Sequence, residues 1–447
     1  MALALAISAC SASETPVQDR AGQTQPPNQM VAVVIADFGT GTNPYHEFFR
    51  RPGWTRHPSE VIPGFPPDVP PLPITLGDDY AASFAADQAV WDGYKLDQLY
   101  WVPGTNLLLI TPTDYAQQGV SGHATNDAAG QHGVGTSATV ASSCPDCYVL
   151  VVQDAKGLTG DFLRAMPQRM PWVDLATQSS VPGNIDDTIA FYTTAPLAQA
   201  THEFEASGRL YFAGSGNGAV LSALDITGPV PYYNWDVPPW VTVVGGAYAH
   251  HVSTFDGTAF PACNLIEHFS GIPTEFIGNW EQDVPTPDST NLYARVGGTS
   301  FATPEVAGRA GQVLLELRRE LGDVRSDGAL WAGAPVPNPP SLADGRLTND
   351  ELREVLGQAA VYFSTTGFDA GCANDLVQVS GRAVSPASPT PWAEMGWGYV
   401  GVESVTIAVD AILGRAQVAP KPPGAMFYMS AFAAARAAAY SNYPPSP

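Results

Sequence analysis

One stretch of the chain, VAVVIADFG at 31–39, constrains the fold more than any other. It is continuously apolar over strand length and ends in Asp and Gly, which is typical of a strand buried on both faces in a parallel sheet. Four more runs share this character, at 107–110, 148–152, 209–213 and 240–244. Helical patterns at 304–321 and 349–360 accompany them. The sequence therefore predicts a three-layer α/β/α fold with a central, mostly parallel sheet and a site at the carboxyl ends of its strands.

Composition excludes several classes of protein. The chain has 447 residues, 45% of them hydrophobic, so it can bury a large core. It carries 20 basic and 43 acidic side chains, a net charge of −23, which disfavours nucleic acid as a partner. No run of 18 apolar residues occurs, so no transmembrane helix is expected. This composition fits best a soluble protein with a single hydrophobic core and additional surface loops.

The distribution of proline and alanine suggests how the chain is organised. The proline-rich segment 57–73 is predicted to be an exposed insertion, because proline is excluded from helix interiors and inner strands, and 333–341 is a second proline-rich connector. The second helical pattern begins with Thr348 and Glu351, the spacing of a capping box. We divide the chain into a leader at 1–10, a linker at 11–29, one catalytic domain at 30–415 with insertions at 57–73 and 333–341, and an Ala/Pro-rich tail at 416–447.

The cysteines and the start of the chain bear on localisation. Residues 1–10 are apolar and end in ISAC, which resembles a lipoprotein processing site with a lipid anchor at Cys10; a truncated signal peptide is the alternative. Both interpretations predict a secreted or cell-envelope protein. Cys144-Pro-Asp-Cys147 could be a small-loop disulfide, a redox pair or half of a zinc site, and the disulfide is favoured because no second ligand pair follows. Cys263 and Cys372 remain as a pair by elimination.

The stretch GGTSFATPEVAG at 297–308 carries the strongest chemical signal. Ser300 is expected immediately before a helix, where small neighbours let a carbonyl group approach and the positive helix end favours a developing oxyanion. Serine needs a base to act as a nucleophile. His132, in QHGVGT, is the candidate base, and Asp37, closing the first strand, can orient its imidazole. Asn217, in AGSGNG, follows another strand and can donate its amide to an oxyanion.

Taken together, these blocks resemble those of the subtilisin-like serine peptidases. The resemblance covers about 31–413, including GWGYVG at 396–401 near the end. It implies the subtilisin fold and an exported serine endopeptidase that acts through an acyl-enzyme. Carried over residue by residue, Ser300 would attack the scissile carbonyl, His132 would move the proton, Asp37 would hold His132, and Asn217 would stabilise the oxyanion. The segment 173–179 resembles the strand that leads to the substrate-binding edge, where a peptide would add as a strand.

Two departures and several alternatives accompany this resemblance. The family's hydroxyl residues after the Asp and the His are replaced by Phe38 and Val134, which motivates the alternative of a catalytically impaired pseudopeptidase that serves as a cell-surface binding module. His123 competes with His132 as the base. A sedolisin-type acid peptidase would need a Glu followed four residues later by an Asp, and the sequence contains no such pair. Transpeptidation through the same acyl-enzyme stays open.

No cofactor is required for this chemistry. The resemblance makes structural calcium a candidate, with Asp78-Asp79 and Asp186-Asp187 as acidic loops, although no DxDxDG loop occurs. His46 is expected to be structural, and the pair His250-His251 is expected on the surface. The expected partners are protein or peptide substrates, and the expected state is a monomer.

Overall fold

The computed structural model describes residues 29–38, 41–112, 130–154, 160–179, 195–215, 240–247, 275–322, 347–361 and 397–418. Several predicted features lie outside these ranges and stay predictions: the leader, nearly all of the linker and of the tail, the insertion 333–341, His123, Asn217, Cys263, Cys372, Asp186-Asp187 and His250-His251.

A single eight-stranded sheet forms the centre of the described structure. Its strand order is β2-β3-β4-β1-β5-β6-β7-β8, and all neighbours run parallel except β2 and β3. A separate antiparallel hairpin consists of β9 and β10. The strands are β1 Ala32–Phe38, β2 Tyr100–Trp101, β3 Leu107–Ile110, β4 Tyr148–Asp154, β5 Leu175–Gln178, β6 Leu210–Gly214, β7 Val241–Ala247, β8 Phe276–Asn279, β9 Glu281–Pro285 and β10 Tyr293–Gly297.

Helices cover both faces of the sheet. They are α1 Tyr80–Ala86, α2 Gln88–Asp92, α3 Gly130–Ser143, α4 Gly160–Arg169, α5 Ala195–Ala206, α6 Thr299–Leu321, α7 Asn349–Ala359 and α8 Val402–Ile412, with short 3-10 turns at Glu47–Phe49 and Pro58–Glu60. The buried core on one face joins α3, α6, α7 and α8. The core on the other face joins α4 and α5. The predicted three-layer α/β/α architecture with a mostly parallel sheet is confirmed.

Strand β1 is the central strand, as its sequence predicts. Val33 and Ile35 belong to the core with α3 and α6, whereas Ala32 and Val34 belong to the opposite core. Both faces are apolar because alternate side chains of a strand point to opposite sides and helices cover both. The runs predicted at 107–110, 148–152, 209–213 and 240–244 are likewise strands, and α7 has the predicted capping box of Thr348 and Glu351.

The prediction that the insertion 57–73 is exposed is wrong. Its prolines limit its pairing with the sheet to one isolated bridge, between Pro71 and Trp101 of β2. Several of its apolar side chains are nevertheless buried: Val61, Ile62, Phe65 and Val69 in the core shared with α4 and α5, and Leu72 in the core on the opposite face. Proline forbids a ladder of backbone hydrogen bonds without forbidding side-chain burial. The segment therefore forms part of the layer that covers one face of the sheet.

A buried ion pair connects α6 to the start of the sheet. The Arg318 guanidinium donates to both carboxylate oxygens of Asp174, with Nη1 3.0 Å from Oδ2. The same Oδ2 accepts from the backbone N–H of Ala32 at 3.1 Å. Both side chains are almost fully buried, so each charge has lost its hydration and is stabilised by the opposite charge of its partner. One pair thus joins β1, the residue before β5, and the last turn of α6.

Replacing Arg318 should therefore cost far more stability than replacing its neighbour. Arg318→Leu leaves the Asp174 charge buried without its partner, and we expect the free energy of unfolding to fall by about 3–5 kcal/mol. Arg319→Leu is the matched control, because the ion pairs of Arg319 with Asp146 and Glu316 are partly exposed and contribute about 1 kcal/mol or less. Urea denaturation measures both. Equal losses for the two variants would contradict this role of the buried pair.

Candidate active site

Ser300 lies in the first turn of α6, at the point where the hairpin meets the helix. Strand β10 ends at Gly297, and Gly298 then adopts φ 143°, a backbone conformation that favours glycine. The helix begins at Thr299, five residues before the predicted start at 304. The expectation that Ser300 precedes the helix is therefore wrong. Because Gly298 turns the chain sharply, the helix can begin ahead of Pro304.

Pro304 lies inside the helix and affects the carbonyl group of Ser300. A helical residue normally donates its N–H to the carbonyl four residues earlier, and proline has none to donate. The carbonyl of Ser300 therefore lacks its usual helical donor. On the sheet side, a Cβ on Gly278 would lie 2.3 Å from the carbonyl oxygen of Ala302, so β8 approaches the first turn of α6 at backbone contact. The first turn is held by its close contacts as well as by its own hydrogen bonds.

The hydroxyl group of Ser300 is hydrogen bonded to the backbone of Ser179. Ser300 Oγ donates to the Ser179 carbonyl oxygen at 3.0 Å, and the side chain of Ser300 is mostly buried. Ser179 directly follows β5. A serine hydroxyl has one proton, so in this arrangement it cannot also donate to an imidazole.

The ends of β5 and β6 meet the start of α6. A Cβ on Gly214, the last residue of β6, would lie 3.4 Å from the hydroxyl oxygens of both Thr299 and Thr303 and 3.8 Å from the Ser179 carbonyl oxygen. Three elements far apart in sequence thus converge at the carboxyl edge of the sheet, where the strand pattern predicts a site. Among the residues that the structure describes, the buried Oγ atoms of Ser179 and Ser215 have no hydrogen-bond partner.

His132 lies in the first turn of α3 and contacts the residue that follows Ser300. Its ring centroid is 5.5 Å from that of Phe301, and the side chain is half-buried. A Cβ on Gly135, one turn further along α3, would lie only 2.6 Å from the Phe301 ring and 3.3 Å from Val284. The absence of a side chain at 135 therefore lets α3 and α6 approach each other. The first turns of the two helices meet through Phe301.

The remaining predicted site residues are described in part or not at all. The backbone of Asp37 lies in β1 opposite Gln153 of β4, one residue before the strand ends. Its neighbour Ala36 is opposite Gln178 at the end of β5. Asp37 is thus at the same sheet edge as Ser179. Asn217 follows β6 by three residues, just outside the described residues, and the competing His123 also lies outside them.

The departure at Val134 has a packing explanation. Its side chain is buried in the core with β1, α3 and α6. Hydroxyl groups occur nearby in α3 instead: Ser137 Oγ donates to the Gly133 carbonyl at 2.7 Å and lies 3.0 Å from Thr42 Oγ1. The first turn of α3 is therefore supported by an apolar contact at 134 and by hydrogen bonds one turn later.

Glu305 is a buried residue near the site that the sequence analysis did not assign. Its carboxylate accepts the backbone N–H of Asn279 at the end of β8 and the Tyr399 hydroxyl at 3.3 Å, and Arg309 Nη2 is 3.7 Å away. It thereby connects α6 with β8 and with the segment GWGYVG. The sequence does contain a signal for this residue, because Glu305 is the one charged residue in the otherwise uncharged twelve-residue block at 297–308.

His46 has the structural role that the sequence analysis expects. It is fully buried; its Nδ1 accepts the backbone N–H of Phe48 at 3.1 Å, and its Nε2 donates to the Leu292 carbonyl at 3.0 Å. Burial lowers its pKa to about 4, since the charged form would lose its hydration. Neutral His46 therefore connects the 3-10 turn at Glu47–Phe49 to the start of β10.

The acidic pair proposed for calcium has other partners. Asp79 Oδ1 accepts the Ala82 N–H at 2.8 Å and caps α1, while the exposed Asp78 pairs with Arg50 at 3.3 Å. In the ranges that the structure describes, no three His, Cys, Asp or Glu side chains gather as metal ligands. In the same ranges, no helix combines the length and apolarity needed to cross a bilayer.

Cys144 and Cys147 lie at the end of α3, against α6. The two sulfur atoms are at bonding distance, and the Cα atoms are 5.3 Å apart, within the range of disulfides. A Cβ on Gly311 of α6 would lie 3.1 Å from the Cys147 sulfur. Strand β4 begins with the next residue, as the sequence predicts. The pair therefore lies where α3, β4 and α6 meet.

Comparisons with known proteins give structural matches only. No family model matches the sequence, and no curated protein is significantly similar to it. The structure is similar to that of the patellamide maturation protease PatA, with 15% identity, 87% of this chain and 98% of that chain covered, and a TM-score of 0.42. A lanthipeptide protease has 14% identity, 86% and 89% coverage and a TM-score of 0.45. The PatG macrocyclase in complex with peptide has 15% identity, 87% and 93% coverage and a TM-score of 0.42.

The chain thus matches structures of subtilisin-like proteases over most of its length, the resemblance that its motifs predict. Identities below 25% and TM-scores below 0.5 say nothing of this chain's own residues or reaction.

The contact between α3 and α6 at Gly135 is testable by a double-mutant cycle. Gly135→Ala should lower the free energy of unfolding by about 1–3 kcal/mol through overpacking against Phe301, although alanine is the better helix former. Phe301→Leu in the same chain should remove the clash, so that the loss caused by Gly135→Ala becomes a small gain. Chemical denaturation of the four proteins gives the coupling. Additive effects would show that the two side chains do not compete for space.

The buried His46 should make stability depend on pH. Its pKa is lower in the folded than in the unfolded chain, so below about pH 6.5 the unfolded state binds the proton and stability falls as pH drops towards 4. The full loss from this group is about 3 kcal/mol. His46→Gln should show a correspondingly smaller fall between pH 7 and pH 4 in urea denaturation. The difference between the two proteins at pH 7 serves as the control, because it measures the two hydrogen bonds that His46→Gln removes apart from the titration. Parallel curves for wild type and His46→Gln would contradict this assignment.

Proposed function

We propose that this chain is a serine endopeptidase that hydrolyses peptide bonds through an acyl-enzyme. Ser300 is the nucleophile, His132 the general base and acid, Asp37 the residue that orients His132, and Asn217 an oxyanion donor. The observation that carries the proposal is the meeting of two helix starts: Ser300 lies in the first turn of α6, and the His132 ring, from the first turn of α3, contacts the adjacent Phe301.

The surroundings of Ser300 support a role in acyl transfer. The start of α6 presents the positive end of the helix dipole, which stabilises a developing oxyanion. The ends of β5 and β6 bring backbone groups beside the serine, and Gly214 lets β6 approach the first turn of α6 closely. Asp37 is in β1, between β4 and β5, at the same edge. A carboxylate at that position can orient an imidazole and stabilise its charged form.

The first step of the reaction requires a change at Ser300. Its proton is donated to the Ser179 carbonyl, which cannot accept it as a base. A rotation about the Cα–Cβ bond would free the hydroxyl for His132. The imidazole would then take the proton as Oγ attacks the scissile carbonyl, and would return it to the leaving amine. Water attacks the acyl-enzyme in the second half of the cycle, with His132 again as base.

We further propose that the protein acts outside the cytoplasm, where Cys144 and Cys147 would form a disulfide. The arrangement of the two sulfur atoms and the apolar leader with Cys10 support this. Protein substrates at the cell surface are then the expected partners, and structural calcium in the acidic loops stays a hypothesis. Alkylation of protein taken from the cell envelope tests the bridge: modification of both cysteines without prior reduction would contradict it.

A fluorophosphonate probe tests the proposed nucleophile. Wild type should be labelled near neutral pH, and labelling should be lost in Ser300→Ala and reduced by at least about a thousandfold in His132→Ala, because the serine is unreactive without its base. His57→Gln is the matched histidine control and should be labelled normally. Mass spectrometry of the labelled protein locates the adduct.

The other outcomes discriminate between the alternatives. Labelling that survives His132→Ala but is lost in His123→Ala would assign the base to His123. Folded wild-type protein that is not labelled at any pH would favour the pseudopeptidase, a binding module without catalysis. Labelling confined to acidic pH would favour the sedolisin-type mechanism.

A further inference from the structure

The chain turns from β8 into β9 at 278–281, a segment that we call the β8–β9 bend, and this bend packs on the first turn of α6. A Cβ on Gly278 would lie 2.3 Å from the Ala302 carbonyl oxygen, so the two backbones are in contact there. At the next residue, Asn279 donates its backbone N–H to the carboxylate of Glu305. The position of the bend and the position of the helix start therefore depend on each other.

Trp280, the third residue of the bend, holds the segment that enters α6. Its carbonyl oxygen accepts the backbone N–H of Gly298 at 3.0 Å, and the Gly298 carbonyl oxygen in turn accepts the N–H of Phe301 at 3.0 Å. The indole lies against Gly297, where a Cβ would be 2.6 Å from its Nε1. Ser300 lies inside the turn that these hydrogen bonds close. The placement of its backbone is therefore tied to the placement of Trp280.

The carboxylate of Glu305 connects the bend back to the helix. The side chain is buried; one oxygen accepts the Asn279 N–H, and the other accepts the Tyr399 hydroxyl at 3.3 Å and lies 3.7 Å from Arg309 Nη2. A hydrogen bond from a backbone N–H to a carboxylate is about twice as strong as one to a neutral oxygen. A closed ring of contacts thus runs from Glu305 through the β8–β9 bend to the residue before the helix, and along the helix back to Glu305.

We propose that Glu305 is a positioning residue for Ser300: its carboxylate fixes the β8–β9 bend, and the bend fixes the turn that carries the serine. This inference rests on the proposed function, in which Ser300 Oγ must reach both the His132 imidazole and the scissile carbonyl group. Glu305 acts on the serine through the backbone of Asn279 and Trp280. A displacement of about 1 Å at a nucleophile can lower the rate about a hundredfold, so a hydrogen bond outside the reacting groups can control the rate.

Two substitutions of similar size separate the hydrogen bond from the volume of the side chain. Glu305→Met fills the space but offers no oxygen to the Asn279 N–H, whereas Glu305→Gln keeps one. With a peptide chosen by its cleavage from a mixed library, we expect Glu305→Met to lower kcat by about ten- to a hundredfold and to change KM less than about threefold, because the serine is misplaced while substrate binding is retained. Glu305→Gln should keep kcat within about threefold of wild type. Glu316→Met, at a partly exposed position of the same helix, is the matched control and should leave kcat unchanged.

Amide hydrogen exchange tests the same ring of contacts without a substrate. In Glu305→Met, the amides of Asn279 and Gly298 should exchange at least about tenfold faster than in wild type, since the bend is no longer held to the helix. The amides of β1 should exchange as in wild type, which shows that the rest of the fold is intact. Glu305→Gln should resemble wild type at all these positions. If Glu305→Met does not fold, Tyr399→Phe, which removes one donor to the carboxylate, should give the same changes to a smaller extent.

The results also separate the possible failures. A wild-type kcat in Glu305→Met, or a change confined to KM, would overturn the positioning role and leave the proposed function standing. Equal losses of kcat in Glu305→Met and Glu305→Gln would assign the effect to the negative charge instead of the hydrogen bond, and would likewise overturn the proposal. Folded wild-type protein that neither cleaves peptides nor reacts with the fluorophosphonate would overturn the proposed function and this role together.

Discussion

The ion pair between Arg318 and Asp174 fixes the helix on which the candidate site depends. Arg318 lies near the end of α6 and Ser300 in its first turn, 18 residues apart, so the pair acts about 27 Å from the serine. Asp174 also binds the backbone of Ala32 at the start of β1. One carboxylate therefore sets the position of the central strand and of the long helix together. The start of α6, at the carboxyl edge of the sheet, is therefore positioned by an ion pair at the opposite edge.

Close backbone approach fixes the other end of α6. Glycines at 278, 308 and 311 each lie where a Cβ would approach a neighbouring atom at 3.1 Å or less. The contacts made by Gly308 and Gly311 bring α6 against α3 and the cysteine pair, and the contact of Gly278 brings it against β8. Since packed interiors transmit small displacements, this arrangement gives the first turn of α6 little freedom. Precise placement of a nucleophile and its base requires such rigidity.

The sequence alone predicts the sheet well because its strands carry strong local signals. VAVVIADF is apolar as far as Asp37, and neither glycine nor proline interrupts it. The start of α7 is also predicted from a local pattern, because a capping box needs only Thr348 and Glu351. The start of α6 was misplaced because Gly298 and Pro304 both look like helix boundaries, and tertiary contacts decide between them. Burial of Val61, Ile62 and Phe65 was missed because it depends on residues distant in sequence.

For the candidate site, the sequence predicts which residues act but not which contacts they make, and the roles of Asp37, His132 and Ser300 stay predictions. The order of Asp37, His132 and Ser300 is readable from motifs, whereas the hydrogen bond of Ser300 to Ser179 and the role of Glu305 depend on how β5, β8 and α6 meet. No local pattern encodes such a meeting.

The central position of β1 also has a consequence for biosynthesis. Of the described strands it is the first to be translated, yet its sheet partners β4 and β5 begin at Tyr148 and Leu175. Roughly 110 residues must follow it before either neighbour exists, which at usual rates of synthesis takes on the order of 5–20 s. During that interval an apolar, unpaired segment emerges from the ribosome. The central strand of the sheet is therefore synthesised early but paired late. Until β4 and β5 have formed, the nascent chain must be kept from aggregating through this strand.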